Sequence, residues 1–123
     1  MARIMIADDY TETRMLLRDL LVISNHEVVA EAADGPEAVE KFKATRPDMV
    51  LLDLAMPKMD GLSVLREIKK MDENAKVILL TASGNLKTIN ECVQAGAVTY
   101  ILKPFKIEDL SNAIKSILKQ IPF

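Results

Sequence analysis

Short apolar runs alternate along the chain with longer segments in which apolar residues recur every three or four positions. Five runs have only three or four residues and contain β-branched side chains, which is typical of buried strands. They are Ile4–Ala7, Val28–Ala30, Met49–Leu52, Val77–Leu80 and Tyr100–Leu102. Because the runs are almost continuously apolar, we predict parallel strands that are covered on both faces.

The segments after each run have the spacing of amphipathic helices. The first helix is predicted from about Glu12 to Ser24, the second after Asp34-Gly35-Pro36, and the third after Asp60-Gly61. The fourth is expected to end near Gly96. The predicted inward faces, in chain order, are Met15, Leu16, Leu20 and Ile23; Ala38, Val39 and Phe42; Leu62, Leu65 and Ile68; Ile89, Cys92 and Val93; and Ile107, Leu110, Ile114, Ile117 and Ile121.

Five strands alternating with five helices predict an α/β fold with one parallel sheet and right-handed crossovers. A chain of 123 residues corresponds to one domain, which we place at residues 1–123. For this size we expect a flavodoxin-like three-layer sandwich with strand order 2-1-3-4-5. That order is taken from known doubly wound proteins and not from the hydrophobic pattern.

The composition limits which cellular compartment and which class of partner are expected. The 16 basic and 18 acidic residues give a formal net charge of −2, which lacks the basic footprint of a nucleic-acid-binding protein. The single cysteine, Cys92, excludes an internal disulfide and fits a reducing compartment. No apolar run approaches the roughly 20 residues that span a bilayer. We therefore expect a cytoplasmic protein that contacts neither membrane nor nucleic acid directly.

The ends of the predicted strands carry the candidate chemistry. In the expected order, ligands bind beyond the carboxyl ends of strands one and three, where the strand order reverses. Asp8 and Asp9 follow strand one and Asp53 ends strand three, so three carboxylates converge there. Carboxylates this close repel each other unless a cation neutralises them. An all-oxygen cluster suits a hard divalent ion such as Mg²⁺.

Two further strand ends add a hydroxyl, Thr81, and an ammonium group, Lys103. Acids, a metal, a hydroxyl and a lysine are the components needed to transfer a phosphoryl group to a carboxylate. Asp53 is the best candidate nucleophile, because it ends the central strand between the acid pair and Lys103.

Five short motifs follow these strands in order. They are Asp8-Asp9, Leu51-Leu52-Asp53, Met56-Pro57 with Asp60-Gly61, Thr81-Ala82, and Lys103-Pro104-Phe105. Each motif alone is weak evidence. Together, at these strand ends, they resemble the response-regulator receiver domains of the CheY-like type, and the resemblance covers the whole chain.

The resemblance implies a role for each residue of the acidic cluster. Asp53 would be the phosphorylation site. Mg²⁺ would be held by Asp9, Asp53 and the backbone carbonyl of Ala55, with Asp8 acting through water. Lys103 would contact the phosphoryl group. The protein would not be an enzyme for an external substrate, although it would catalyse its own phosphorylation and dephosphorylation at Asp53.

The resemblance also implies a switch. Thr81 would move towards the phosphoryl group, and Tyr100 would turn into the space that Thr81 leaves. Tyr100 could instead be a core residue with a hydrated hydroxyl. The Lys103–Pro104 peptide bond would be cis. Ala55 and Ser83 stand where many relatives carry longer polar side chains, so the phosphoryl lifetime stays open.

The implied partners are a histidine kinase and a target protein. The kinase would dock near helix one, for which Thr11, Arg14, Met15 and Arg18 are candidates. The target would bind the face of helix four, strand five and helix five. Candidate contacts there are Lys87, Asn90, Glu91, Thr99, Lys106 and Asp109. Because the sequence ends soon after helix five, we expect a stand-alone regulator that acts on a target such as a chemotaxis or motility switch.

Alternatives remain within the family and outside it. The chain could be a relay intermediate that passes its phosphoryl group to a histidine phosphotransfer protein, or the isolated receiver of a larger regulator. A flavin-binding electron carrier would share the sheet, but Asp8-Asp9 would repel the flavin phosphate. A phosphatase of the haloacid-dehalogenase type would need Asp-x-Asp after strand one, and Asp8-Asp9-Tyr10 does not supply it.

Several residues have no assigned chemistry. His26, the single histidine, is expected in a loop, and Cys92 is expected to be buried and inert. Met5, Met15 and Met49 are predicted to fill the core. Met56 and Met59, in the loop after Asp53, are predicted to be partly exposed.

Overall fold

A computed structural model of the chain describes residues 1–119. The elements in chain order are β1 (Arg3–Ala7), α1 (Thr11–Ile23), β2 (Glu27–Ala32), α2 (Gly35–Thr45), β3 (Met49–Asp53), α3 (Gly61–Met71), β4 (Lys76–Thr81), α4 (Leu86–Gln94), β5 (Thr99–Leu102) and α5 (Ile107–Leu118). All of the strands pair in parallel, in the order β2-β1-β3-β4-β5. The predicted fold class and strand order are therefore confirmed.

Short polar side chains begin several of the helices. Asp34 accepts a hydrogen bond from the Glu37 N–H at 2.8 Å, and the Glu37 carboxylate accepts one from the Ala33 N–H at 2.8 Å. This reciprocal pair satisfies two donors at the start of α2. Asp60 accepts from the Ser63 N–H at 2.9 Å at the start of α3. Asn85 begins α4 in the same way.

The sheet separates two apolar cores, which makes the fold three-layered. On one face, side chains of β1, β3 and β4 pack with α2, α3 and α4, including the buried Phe42, Leu65 and Cys92. On the other face they pack with α1 and α5, including Leu17 and Ile114. Within residues 1–119, none of the helices has both the length and the apolar character needed to cross a bilayer.

The prediction for the inward face of α1 was wrong at three of its four residues, and only Leu20 is half-buried against the core. Leu17 and Leu21 are the buried residues of this helix, whereas Met15 is 50% exposed and Ile23 is 83% exposed. Leu16 is exposed as well. The cause lies in the sequence: apolar residues surround most of this helix, so their spacing does not select one face.

Smaller corrections concern positions at the rims of the cores. Val93 and Ile107 are exposed, whereas Met56, predicted to be partly exposed, is buried. The edge strand β5 alternates between half-buried and exposed residues, so it is not covered on both faces. Ile121 lies outside the described residues.

The loop between β3 and α3 is held tightly by two glycines. A Cβ atom on Gly35 would lie 2.4 Å from the Cβ of Met59, and one on Gly61 would lie 2.6 Å from the Cα of Leu54. Only glycine permits such close approach of two backbones. Lys58, in the same loop, pairs with Asp34 at 3.3 Å. These contacts fix the loop that carries Ala55.

Candidate functional site: an acidic pocket at the carboxyl edge of the sheet

Three carboxylates meet where β1 and β3 end side by side. Asp8, Asp9 and Asp53 each present an oxygen within 4.8 Å of the others. The pairing of Ala7 with Leu52 brings the two strand ends level. Asp8 and Asp53 are buried. The convergence expected from the strand order is thus present in the structure.

Lys103 reaches this pocket from the end of β5. Its ammonium nitrogen lies 2.6 Å from Asp8 Oδ2 and 3.6 Å from Asp53 Oδ2. The Lys103–Pro104 peptide bond that follows is cis, the isomer that the resemblance implies. The Lys103 ammonium also lies 5.9 Å from the centre of the Tyr10 ring. Lys103 is therefore within salt-bridge range of two of the three acids, Asp8 and Asp53.

The surroundings of Asp53 oppose its ionisation. Burial raises the pKa of its carboxyl group above the usual value, and the neighbouring Asp8 and Asp9 act in the same direction. The Ala55 N–H, which donates to Asp53 Oδ1 at 3.1 Å, opposes this effect, as does Lys103. The balance disfavours the ionised form of Asp53. An additional cation in the pocket would favour the ionised form again.

The donor set of the pocket fits a hard divalent cation. One oxygen of Asp9, Oδ1, is buried without a hydrogen-bond partner. Burying an unpaired carboxylate oxygen costs free energy unless a ligand binds to it. The available donors are carboxylate oxygens and a backbone carbonyl, the ligands that Mg²⁺ takes. Ala55 follows Asp53 by two residues, so its carbonyl belongs to the clamped β3–α3 loop. The residues present therefore suit Mg²⁺.

Thr81 is buried at the end of β4, one residue beyond Leu80, which pairs with Asp53 in the sheet. Its hydroxyl donates to the Ser83 carbonyl at 3.2 Å and accepts from the Ser83 N–H at 3.1 Å. A cleft of about 200 Å³ lies beside it, lined in part by Ala55, Ser83 and Thr88. The hydroxyl is thus held by its own loop and borders open space towards α4.

Tyr100 lies on the same face of the sheet as Thr81. In the register of β4 and β5, Leu79 pairs with Tyr100, and Thr81 stands two residues beyond Leu79. Residues two apart in a strand point to the same face. The Tyr100 side chain is 38% exposed, so it is not a core residue in this structure.

The candidate target-binding residues lie together on one side of the molecule. Lys87, Asn90, Glu91, Lys106 and Asp109 are exposed, and Thr99 is half-buried. They occupy α4, β5, the loop before α5 and the first turn of α5. His26 is in a loop, as predicted, and its Nδ1 accepts a hydrogen bond from the Ala2 N–H at 3.1 Å.

Sequence reasoning missed two contacts of the pocket. The Tyr10 N–H donates to Asp8 Oδ1 at 2.9 Å, and the Arg14 guanidinium donates to the Asp8 carbonyl at 2.7 Å. The first could be anticipated, because aspartate commonly accepts from the N–H two residues later. The second involves a backbone carbonyl, which leaves no signal in the sequence.

The sequence profile of the response regulator receiver domain family matches residues 4–115. The chain therefore belongs to this family, and the pocket lies in a component of two-component signalling. Among relatives, the chain is 44% identical over 116 residues to the chemotaxis protein CheY of Bacillus subtilis, covering 94% of this chain and 97% of that protein. It is 39% identical over 116 residues to the sporulation initiation phosphotransferase F of the same organism, covering 94% and 93%.

A solved structure with the same architecture is the CheX–CheY–BeF3–Mg²⁺ complex of Borrelia burgdorferi. Its matching chain superimposes with a TM-score of 0.91 and is 35% identical in sequence. The match covers 94% of this chain and 88% of that chain. Both the fold and the family are therefore shared with CheY proteins.

Proposed function

We propose that this protein is a phospho-accepting response regulator that takes a phosphoryl group from a histidine kinase onto Asp53. The observation that carries the proposal is the convergence of Asp8, Asp9 and Asp53 with Lys103 at one edge of the sheet. This set combines a carboxylate nucleophile with the charges that phosphoryl transfer requires.

In the proposed reaction, an oxygen of the Asp53 carboxylate attacks the phosphorus of a phosphohistidine. The new O–P bond forms as the P–N bond breaks, and the imidazole nitrogen leaves with the electron pair. Lys103, already 3.6 Å from Asp53 Oδ2, would turn from Asp8 towards the phosphoryl oxygens. The protein would thus promote its own phosphorylation, and later the hydrolysis of the acyl phosphate at Asp53, without acting on an external substrate.

Asp9, Asp53 and the Ala55 carbonyl would hold Mg²⁺, with Asp8 contributing through water. The orphaned Oδ1 of Asp9 supports this assignment. When bound, Mg²⁺ supplies positive charge that offsets the charge on the phosphoryl group and the three carboxylates. The residues themselves fix the orientation of Asp53, since the Ala55 N–H holds its Oδ1.

The signal would pass from Asp53 through Thr81 to Tyr100. Thr81 would exchange its Ser83 partners for a phosphoryl oxygen, and Tyr100 would then turn inward on the same face of the sheet. A phosphoryl group can shift this equilibrium only through its different interaction with the two states. The outcome would be a new target-binding face on α4, β5 and α5.

Two kinds of output agree with the relatives. The similarity to CheY of Bacillus subtilis supports docking on a chemotaxis or motility target. The similarity to a sporulation phosphotransferase supports a relay, in which Asp53 would pass its phosphoryl group to a histidine phosphotransfer protein. We favour the first output, because five further relatives are CheY proteins, four from bacteria and one from an archaeon.

Intact-mass measurement after addition of acetyl phosphate tests the central claim. We expect one phosphoryl group per chain in the presence of Mg²⁺, little without it, and none in Asp53→Asn. Asp19→Asn, which removes an exposed carboxylate of α1, is the matched control and should be labelled like the wild type. An unlabelled wild type, or a labelled Asp53→Asn, would refute the proposal.

The switch has a separate optical test. The chain has two tyrosines and no tryptophan, so Tyr10→Phe leaves Tyr100 as the only strong fluorophore. We expect acrylamide to quench Tyr100 less after phosphorylation, because the ring would leave solvent. Unchanged quenching in a fully phosphorylated sample would exclude the inward movement. In the double variant Tyr10→Phe/Thr81→Ala, phosphorylation should change the quenching of Tyr100 less.

A further inference from the structure

The three acids of the pocket are held in different ways. Asp8 is fixed at both oxygens, by the Tyr10 N–H at 2.9 Å and by Lys103 at 2.6 Å. Asp53 is fixed by the Ala55 N–H at 3.1 Å. Asp9 differs from both, because its buried Oδ1 has no hydrogen-bond partner. The position of the Asp9 carboxylate therefore depends on the backbone that carries it.

That backbone is held by Arg14. The Nη1 atom of Arg14 donates to the Asp8 carbonyl at 2.7 Å, and this carbonyl belongs to the peptide group that joins Asp8 to Asp9. Fixing the carbonyl fixes the plane of the peptide. It thereby restricts the directions in which the Asp9 side chain can leave the chain.

Arg14 is itself anchored to the sheet. Its Nε lies 3.6 Å from Glu31 Oε1, and its side chain is only 18% exposed. Glu31 belongs to β2, where it pairs with Ile6 of β1. The Glu31 carboxylate also pairs with Arg18 at 3.1 Å, and its backbone carbonyl accepts from Lys41 at 2.5 Å. An edge of the sheet is thus connected through one guanidinium to the turn that carries Asp9.

We propose that Arg14 is a positioning residue for the divalent cation: it holds the Asp8–Asp9 peptide so that Asp9 faces the metal position. The inference rests on the proposed function, because it takes Asp9 as a metal ligand. Arg14 would touch neither the phosphoryl group nor the metal. Its effect would be of the kind that outer-sphere partners have, about 10- to 100-fold in metal affinity.

Simple electrostatics predicts the opposite sign. The Arg14 guanidinium is a positive charge beside a cation site, so its removal alone would strengthen metal binding. If instead Arg14 positions Asp9, its removal weakens metal binding. The direction of the change therefore separates a positioning role from a purely electrostatic one.

The test measures binding of Mn²⁺, as a spectroscopic substitute for Mg²⁺, from the electron paramagnetic resonance signal of the free ion. We expect Arg14→Gln to weaken binding about tenfold, and Arg14→Lys, which keeps the charge and one donor, to recover part of the loss. Arg18→Gln is the matched control. It removes a neighbouring charge that also pairs with Glu31 but does not contact Asp8, so binding should stay within about twofold of the wild type.

Each result has a definite meaning. Equal or tighter binding in Arg14→Gln overturns the positioning role, provided that the wild type binds Mn²⁺. A wild type that binds no Mn²⁺ overturns the metal site of the proposed function itself. If Arg14→Gln fails to fold, as judged by circular dichroism, Arg14→Lys and Glu31→Gln still test the proposal. Full wild-type affinity in both of these folded variants would refute it.

Discussion

The two ends of the parallel sheet differ in how their polar groups are paired. At the amino end several polar groups have partners: the Ala2 N–H donates to His26, the Arg3 N–H donates to Asp48 at 2.9 Å, and the Arg3 guanidinium donates to two carbonyls of the α2 terminus. At the carboxyl end, Lys103 pairs with Asp8 and Asp53, and the buried Oδ1 of Asp9 has no hydrogen-bond partner. The first end contributes stability, whereas the second retains a charge imbalance that a ligand can relieve.

The largest expected effect comes from removing Lys103, the cation that pairs with Asp8 and Asp53. Lys103→Met leaves Asp8 and Asp53 without their counter-charge in a buried site. We expect a loss of about 3 kcal/mol in the free energy of unfolding, as is typical when one partner of a buried pair is removed. Urea unfolding at neutral pH with a chelator present measures it.

The double variant Lys103→Met/Asp8→Asn is the control for this prediction. It removes one of the stranded charges and should recover much of the lost stability. A single variant as stable as the wild type would mean that water already solvates the Asp8 and Asp53 carboxylates. The contrast between the two ends of the sheet would then be weaker than the distances indicate.

The next effect comes from supplying a cation. Mg²⁺ at about 100 times its Kd should raise the free energy of unfolding by about 2.7 kcal/mol if it binds only the folded chain. Asp9→Asn should lose most of this gain, and Asp19→Asn should keep it. Thermal unfolding with and without Mg²⁺ measures both. Equal protection of Asp9→Asn would remove Asp9 from the set of ligands.

The composition of this pocket could be predicted from the sequence, but its supporting contacts could not. The residues at the strand ends are Asp8, Asp9, Asp53 and Lys103. Because strands alternate with helices along the chain, the strands are parallel and their carboxyl ends share one edge of the sheet. The strand order itself came from known folds. The support by Arg14 was missed, because a carbonyl acceptor is present at every residue and does not mark its partner.

The same distinction explains the error in α1. Apolar residues at Met15, Leu16 and Ile23 have helical spacing, but Leu17 and Leu21 have it too. Periodicity can identify the helix, whereas the face that is buried depends on where β1 and α5 lie in space. For α5, with a single apolar stripe, Leu110, Ile114 and Ile117 were predicted correctly.

Replacing one acid at each end of the sheet should have a smaller effect on the free energy of unfolding. Without metal, we expect Asp53→Asn to raise the free energy of unfolding by about 1 kcal/mol, because it removes a poorly compensated buried charge. Asp48→Ala, at the amino end, should lower it by a similar amount, since Asp48 accepts from the Arg3 N–H. Urea unfolding of both variants in chelator compares the two ends directly.

The pH dependence of Asp53→Asn has a definite sign. The pKa of Asp53 is raised in the folded protein, mainly by burial, so folding favours its protonated form. The stability associated with that protonated form is present below the unfolded pKa and is lost as pH rises through the folded pKa. The advantage of the variant should therefore be largest at neutral pH and shrink on acidification. An advantage independent of pH would point to a cause other than charge.

The smallest expected effect lies at the amino end, in His26. Its Nδ1 accepts from the Ala2 N–H, which requires the neutral ring. Burial lowers the pKa of His26 below its ordinary value of 6.5, and the positive amino terminus adds to the shift. Stability from this contact is therefore present above pH 6.5 and is lost as pH falls through the lowered folded pKa.

His26→Gln removes the titrating group and keeps an acceptor in its place. Between about pH 7.5 and about pH 5, the wild type should lose more stability than the variant, by less than about 1 kcal/mol. Urea unfolding at both pH values measures the difference, and chelator keeps the carboxyl end free of metal. Equal losses would mean that acid acts on carboxylates alone, so the amino end would not contribute to the pH dependence through His26.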